Sequence, residues 1–82
     1  MSQTADIIEE IVRERGRQDM KWDVQNHHPT YWLSILGEEF GEVCRAVCDK
    51  DAKNYREELI HVAAVAVSMA ECYDRDPWKN KP

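Results

Sequence analysis

The stretch from Leu59 to Ala70, LIHVAAVAVSMA, restricts this chain more than any other feature, because only His61 and Ser68 interrupt its apolar side chains. A run of this kind is either a buried helix or a buried strand, and periodicity cannot separate the two when both faces are apolar. Its length, its alanines and its lack of turn residues select helix: strands are typically shorter, and alanine is a strong helix former. A helix that is apolar nearly all round has to be covered on several sides. The rest of the chain must supply that cover.

Two further segments carry helical periodicity. Residues 4 to about 20 place Ile7, Ile8, Ile11 and Val12 among charged residues, with Thr4 or Asp6 available as a cap and Gly16 weakening the last turns. From Lys21 to Pro29 the segment KWDVQNHHP is aromatic, polar and aperiodic, and Pro29 disfavours helix at His28, so a loop is expected there. A second helix restarts near Thr30 and runs to about Cys48, with Leu33, Leu36, Phe40, Val43 and Val47 spaced to form one apolar face. Asp49-Lys50-Asp51 ends it. The third helix begins at Asp51 or Ala52, contains the apolar run and continues to about Tyr73, leaving Asp74 to Pro82, with its two prolines, as an irregular end.

The expected fold is therefore all-α, a single domain over residues 1–82 with three main helices. Two helices cannot cover the apolar girdle of the third, and 82 residues bury only a modest fraction of their surface alone. The bundle is expected to be completed by pairing with another copy, as a homodimer or a dimer of dimers. With 43% hydrophobic and 33% charged residues the balance is that of a soluble globular chain. A net charge of −5 argues against a nucleic-acid partner, while leaving room for a divalent cation that recruits a polyphosphate. Three cysteines without a CxxC pair, and no basic-then-apolar leader at the N-terminus, point to a reducing cytoplasm. Val62 to Val67 is far too short for a membrane span.

The acidic residues are arranged rather than scattered. On a helix Glu39 and Glu42 lie about 60° apart, one turn above the other, at the margin of the second helix's apolar face. Two carboxylates so placed repel each other unless a cation sits between them, and Mg²⁺ takes oxygen ligands of this kind. Glu38 points further outward, where its plain reading is a solvated residue. On the third helix Glu58 and His61 again stand one turn apart, and His61 lies inside the apolar run, so it is either a ligand or a core histidine with one satisfied hydrogen bond. In the loop, Trp22 and Trp32 offer faces for stacking, and Asn26, His27 and His28 offer hydrogen-bonding groups. Packing in a core or a dimer contact is the alternative for the two tryptophans. Arg13, Arg15, Arg17 and Lys21 form a basic stretch, either solvated or placed to meet phosphate oxygens. Cys44 and Cys48 read as small core residues.

The segment LGEEFGEVCRAV followed by EELIHVAAVAV resembles the signature of the MazG-like all-α nucleoside triphosphate pyrophosphatases, EExxE, a short spacer and then ExxD. Upstream, RERGRQDMKWDVQNHHPTYW is similar to the N-terminal stretch of small MazG-like proteins, so the resemblance covers most of residues 9 to 71. It implies hydrolysis of a nucleoside triphosphate to the monophosphate and pyrophosphate, with Mg²⁺, or Mn²⁺, as cofactor. Residue by residue it implies that Glu39 and Glu42 are metal ligands, that Glu38 is the first glutamate of the motif, and that Glu58 is the glutamate of ExxD. His61 stands where the family has aspartate, and an imidazole is a poor ligand for Mg²⁺. Glu71 and Asp74 also read ExxD, but lie beyond the apolar run that should follow the motif. The family further implies an aromatic residue and a histidine at the base pocket, which selects Trp22, His27 and His28; within the basic stretch, Lys21 and Arg17 are the candidates for the phosphates. Glu38 or His61 is the candidate general base.

Two other readings compete. Glu-x-x-His on one helix with a glutamate on another is also half of a di-iron carboxylate site in a four-helix bundle, which a symmetric dimer would complete. Alternatively, the chain is a non-catalytic helical dimer in which His61 has ended metal-dependent hydrolysis and nucleotide binding or assembly remains.

Overall fold

A computed structural model describes residues 2–75 and, among them, consists of three helices and no strand. Helix α1 spans Gln3–Trp22, α2 Pro29–Cys48 and α3 Ala52–Arg75. The all-α expectation holds, and the differences lie at the ends. Ser2, rather than Thr4 or Asp6, caps α1, its Oγ accepting a hydrogen bond from the Ala5 amide at 3.0 Å. Gly16 does not interrupt α1, which continues through Lys21 and Trp22, so the expected loop shrinks to residues 23–28. Asp74 and Arg75 extend α3, and the rest of the expected irregular tail lies outside the described residues.

Side chains also make the N-caps of α2 and α3. His28 precedes Pro29, the first residue of α2, and its Nδ1 accepts from the Thr30 amide at 3.2 Å and from the Thr30 hydroxyl at 2.9 Å. Asp51 Oδ1 accepts from the Asn54 amide at 3.1 Å at the start of α3. The turn between α2 and α3 passes through Lys50 at a φ of 56°, a left-handed conformation that lets the chain reverse in three residues.

Helix α3 is central. It packs against both other helices, while α1 and α2 flank it without close backbone contact with each other. On the α2–α3 side lies the buried apolar cluster of Trp32, Val65 and Cys72, with Ile35, Leu36 and Met69 packed against it, and Val43, Ala46, Ile60 and Ala64 are the other buried apolar residues. The α1–α3 side is mixed: Ile7 and Ile11 of α1 are half-buried, and Ile60 of α3 borders a groove with Glu10, Arg13 and Arg17. Arg15, 8% exposed, is the buried residue of α1 and donates to Glu71 Oε1 from Nη2 at 2.6 Å and from Nε at 3.0 Å. Nearer the start of both helices, Arg56 grips Glu10 with two hydrogen bonds of 2.7 and 2.9 Å. These ties put α1 parallel to α3.

One expectation about α2 is overturned. The face it turns to α3 is Trp32, Ile35, Leu36, Val43 and Ala46, together with Glu39. Leu33, Phe40 and Val47 are instead 62, 60 and 58% exposed. Helix α2 carries two apolar stripes side by side, and burying the one with Trp32 fills the space against Val65 and Cys72. No described helix is long and apolar enough to cross a membrane.

Candidate functional site

Because α1 and α2 stand apart across α3, a cleft of about 410 Å³ opens between them. It is lined by Glu14, Arg17, Gln18, Lys21 and Trp22 from α1, Glu39 from α2 and His61 from α3. One ligand atom each from Glu39, Glu58 and His61 lies within 4.8 Å of the other two, and all three residues are half-buried. The antiparallel register of α2 and α3 creates this convergence: it sets Glu39 level with Glu58, and the helical turn brings His61 to the same height. His61 Nδ1 is 3.4 Å from Glu58 Oε2 and 3.8 Å from Glu39 Oε2.

The electrostatics show a crowded cluster. Burial, and then the adjoining Glu58 carboxyl, raise the pKa of Glu39 above the ordinary carboxylate range; His61 opposes the shift and Glu38 adds to it. Among the described residues no arginine or lysine pairs with Glu39 or Glu58. Two oxygen donors and one imidazole nitrogen can hold a dication. The carboxylates suit Mg²⁺, whereas the imidazole does not.

The other expected residues divide. Arg17, Lys21 and Trp22 line the cleft. Trp22 is 59% exposed, with Lys21 Nζ 4.8 Å from its ring centroid, so the two form an exposed aromatic and cationic pair at the cleft wall. Glu38 is exposed on the outer side of α2, and Glu42 is half-buried one turn nearer the α2–α3 turn, outside the three-residue cluster. His27 and His28 do not line the cleft. His28 caps α2 as described. His27 packs its ring on Tyr31 and edge-on to Trp32, with centroids 4.5 and 4.9 Å away, and its Nε2 pairs with Gln25 Oε1 at 2.7 Å. Trp32 is a core residue, 4% exposed. Its Nε1 has no hydrogen-bond partner, and the residue borders a smaller cavity of about 100 Å³ that Trp22 and Glu39 also line. Arg13 pairs with Glu9 at 2.8 Å and Arg15 serves the helix packing. Cys44 and Cys48 are exposed, not core, because the stripe they lie on is the one left uncovered.

Glu14 is the residue that sequence reasoning missed. Its side chain is 12% exposed, with Oε2 3.9 Å from His61 Nε2 and Oε1 held by Arg17 Nη2 at 2.6 Å. A signal existed: Ile7, Ile11, Glu14 and Gln18 follow the 4-3-4 spacing of one helix face, and all four are half-buried. Amid so many charged neighbours Glu14 reads as one more solvated residue. Comparison of the chain with family models, with curated proteins and with solved structures finds no match.

Proposed function

We propose that the chain is a divalent-cation-dependent nucleoside triphosphate pyrophosphohydrolase, converting an NTP or dNTP to the monophosphate and pyrophosphate. The observation that carries this reading is the convergence of Glu39, Glu58 and His61 beside a cleft lined by Arg17, Lys21 and Trp22. The likeness of LGEEFGEVCRAV and EELIHVAAVAV to the MazG-like signature points the same way. A dication, when bound, supplies charge neutralisation on phosphate oxygens and acidifies a bound water. The protein's own groups do the rest. Arg17 and Lys21 face the cleft as positive charges for the phosphate chain, and the Trp22 ring offers a stacking surface for the base. Glu38, one of the two candidate general bases, is exposed and outside the cleft, which disfavours it for that role.

The face of Leu33, Phe40 and Val47, with Tyr55 and Leu59 from α3, supports a second copy as the partner. The di-iron alternative draws on the same Glu39, Glu58 and His61 set. It is disfavoured because His61 is turned toward Glu14 of α1, roughly 120–160° round α3 from Tyr55 and Leu59 on the open apolar face where a second set would arrive.

Pyrophosphate release from a panel of NTPs and dNTPs, with Mg²⁺ or Mn²⁺, tests the proposal. The native chain should release pyrophosphate, and Glu58→Gln should lose activity by about 10²-fold or more. Glu42→Gln should lose less, since Glu42 lies outside the cluster. Failure to cleave any nucleotide with either metal would falsify the enzyme reading and leave the non-catalytic helical dimer.

A further inference from the structure

The imidazole in the cluster has consequences for which cation the site selects. The two nitrogens of His61 face different partners: Nδ1 the Glu39 and Glu58 carboxylates, at 3.8 and 3.4 Å, and Nε2 the Glu14 carboxylate, at 3.9 Å. Adjacent ligands on an ion with bonds of about 2.1 Å stand about 3–3.5 Å apart, so the Nδ1 side is close to ligating geometry without rearrangement of the helices. The Nε2 side has the complementary feature. Histidines that bind metals ordinarily direct the second ring nitrogen to a carboxylate, which sets tautomer and orientation. Glu14 is placed for this: Arg17 holds Oε1 at 2.6 Å, leaving Oε2 on the His61 side at ion-pair range.

Glu58, with a side chain 13% exposed, faces His61, and no lysine or arginine neutralises it or Glu39 among the described residues. The pair therefore has an unmet demand for positive charge on the side that Nδ1 faces. Mg²⁺ accepts oxygen donors and binds imidazole poorly, whereas Mn²⁺ and the later first-row dications take nitrogen and carboxylate together.

We propose that His61 ligates a cation through Nδ1 beside Glu39 and Glu58, with Glu14 orienting the ring from Nε2, so that the site selects a first-row transition dication over Mg²⁺. This rests on the cation site of the proposed function but not on turnover. Glu14 acts through His61 and is a positioning residue.

The test is Mn²⁺ binding to the full chain without nucleotide, read from the loss of the free-ion electron paramagnetic resonance signal, with Mg²⁺ as competitor and electron spin echo modulation to detect a coordinated nitrogen. Native protein should bind Mn²⁺, yield it only to Mg²⁺ in more than about tenfold excess, and show nitrogen coupling. His61→Asp should lose the coupling and bring the two ions to near-equal affinity. Glu14→Gln should keep the coupling while weakening Mn²⁺ by about tenfold. Displacement by Mg²⁺ at parity, bound Mn²⁺ without nitrogen coupling, or no Mn²⁺ bound at millimolar concentration each overturns the proposal; the last two fit His61 acting only as an internal counter-ion. If His61→Asp does not fold by circular dichroism, the native coupling and competition decide alone. Nitrogen-coupled Mn²⁺ without pyrophosphate release upholds this inference and rejects the hydrolase. Release of pyrophosphate by a protein that binds Mg²⁺ as well as Mn²⁺ does the reverse.

Discussion

Glu39 occupies a position on the inner face of α2 where an apolar residue would pack against α3, and its carboxyl is held above the ordinary pKa by burial, Glu58 and Glu38, against the pull of His61. A carboxyl with a raised folded-state pKa contributes stability that is present below its ordinary value and is lost as pH rises through the raised value. The cation-free protein thus carries a cost at neutral pH that a neutral isostere avoids. Glu39→Gln is expected to raise Tm at pH 7 by roughly 2–4 °C, on the order of 0.5 kcal/mol after solvent screening, and to give no gain below about pH 4. Melting curves of the metal-free native and variant proteins at the two pH values check this, and an unchanged or lower Tm at pH 7 would refute it. At this scale the sequence was half legible. Glu39, Glu58 and His61 were readable from spacing, whereas Glu39 and Glu42 look equivalent until packing against α3 separates them, and Glu14 is hidden among charges.

Helix α1 illustrates how an element can be located correctly and its attachment misread. Of the four apolar residues Ile7, Ile8, Ile11 and Val12, Ile7 and Ile11 are half-buried, whereas Ile8 and Val12 are 54 and 63% exposed, and the buried residue of the helix is Arg15. The Arg15 guanidinium reaches Glu71, Asp19 and Gln18 while its stem is buried, so charge-assisted hydrogen bonds join the half-buried Ile7 and Ile11 in docking α1. Its carboxylate partners are 42 and 46% exposed and can rehydrate when the arginine is removed, which moderates the loss. Arg15→Ala is expected to cost about 1–3 kcal/mol, with Arg15→Met recovering part through the stem. Chemical denaturation of the three proteins measures this, and a native-like midpoint for Arg15→Ala would mean that the α1–α3 seam does not depend on the pair. The site depends on the seam too, since Glu14 and Arg17 reach the cleft only while α1 stays docked.

At the scale of the whole molecule the unpartnered surface is the main feature. Leu33, Phe40 and Val47 recur every seven residues on α2, and Tyr55, Leu59 and Val62 follow at spacings of four and three on α3. Leu33, Leu36, Gly37, Phe40 and Val62 line one shallow groove, and Val47 and Tyr55 line the next, so the two stripes adjoin. Such a continuous apolar face is characteristic of an interface rather than of a monomer's exposed surface, and its heptad spacing suits two helix pairs packing as a four-helix bundle. Sedimentation at micromolar concentration should give a dimer or larger for the native chain and a monomer for Leu33→Glu/Phe40→Glu, with helicity retained. A native chain that sediments as a monomer at about 100 μM would remove the second copy as the partner of this face.

What the sequence determined by itself was local: the helical state of the Leu59–Ala70 run, the three segments, and the four-carboxylate-plus-histidine vocabulary, all of which follow from spacing along one chain. What only the tertiary structure decided was which of two adjoining stripes of α2 goes inside, that Arg15 is the most deeply buried residue of α1, and that Glu14 joins Glu39, Glu58 and His61 while Glu42 stays outside. The reason is physical. Periodicity defines a helix's faces but not their partners, and the partner is chosen by how side chains fill the space against α3, a many-body packing condition that no single segment contains.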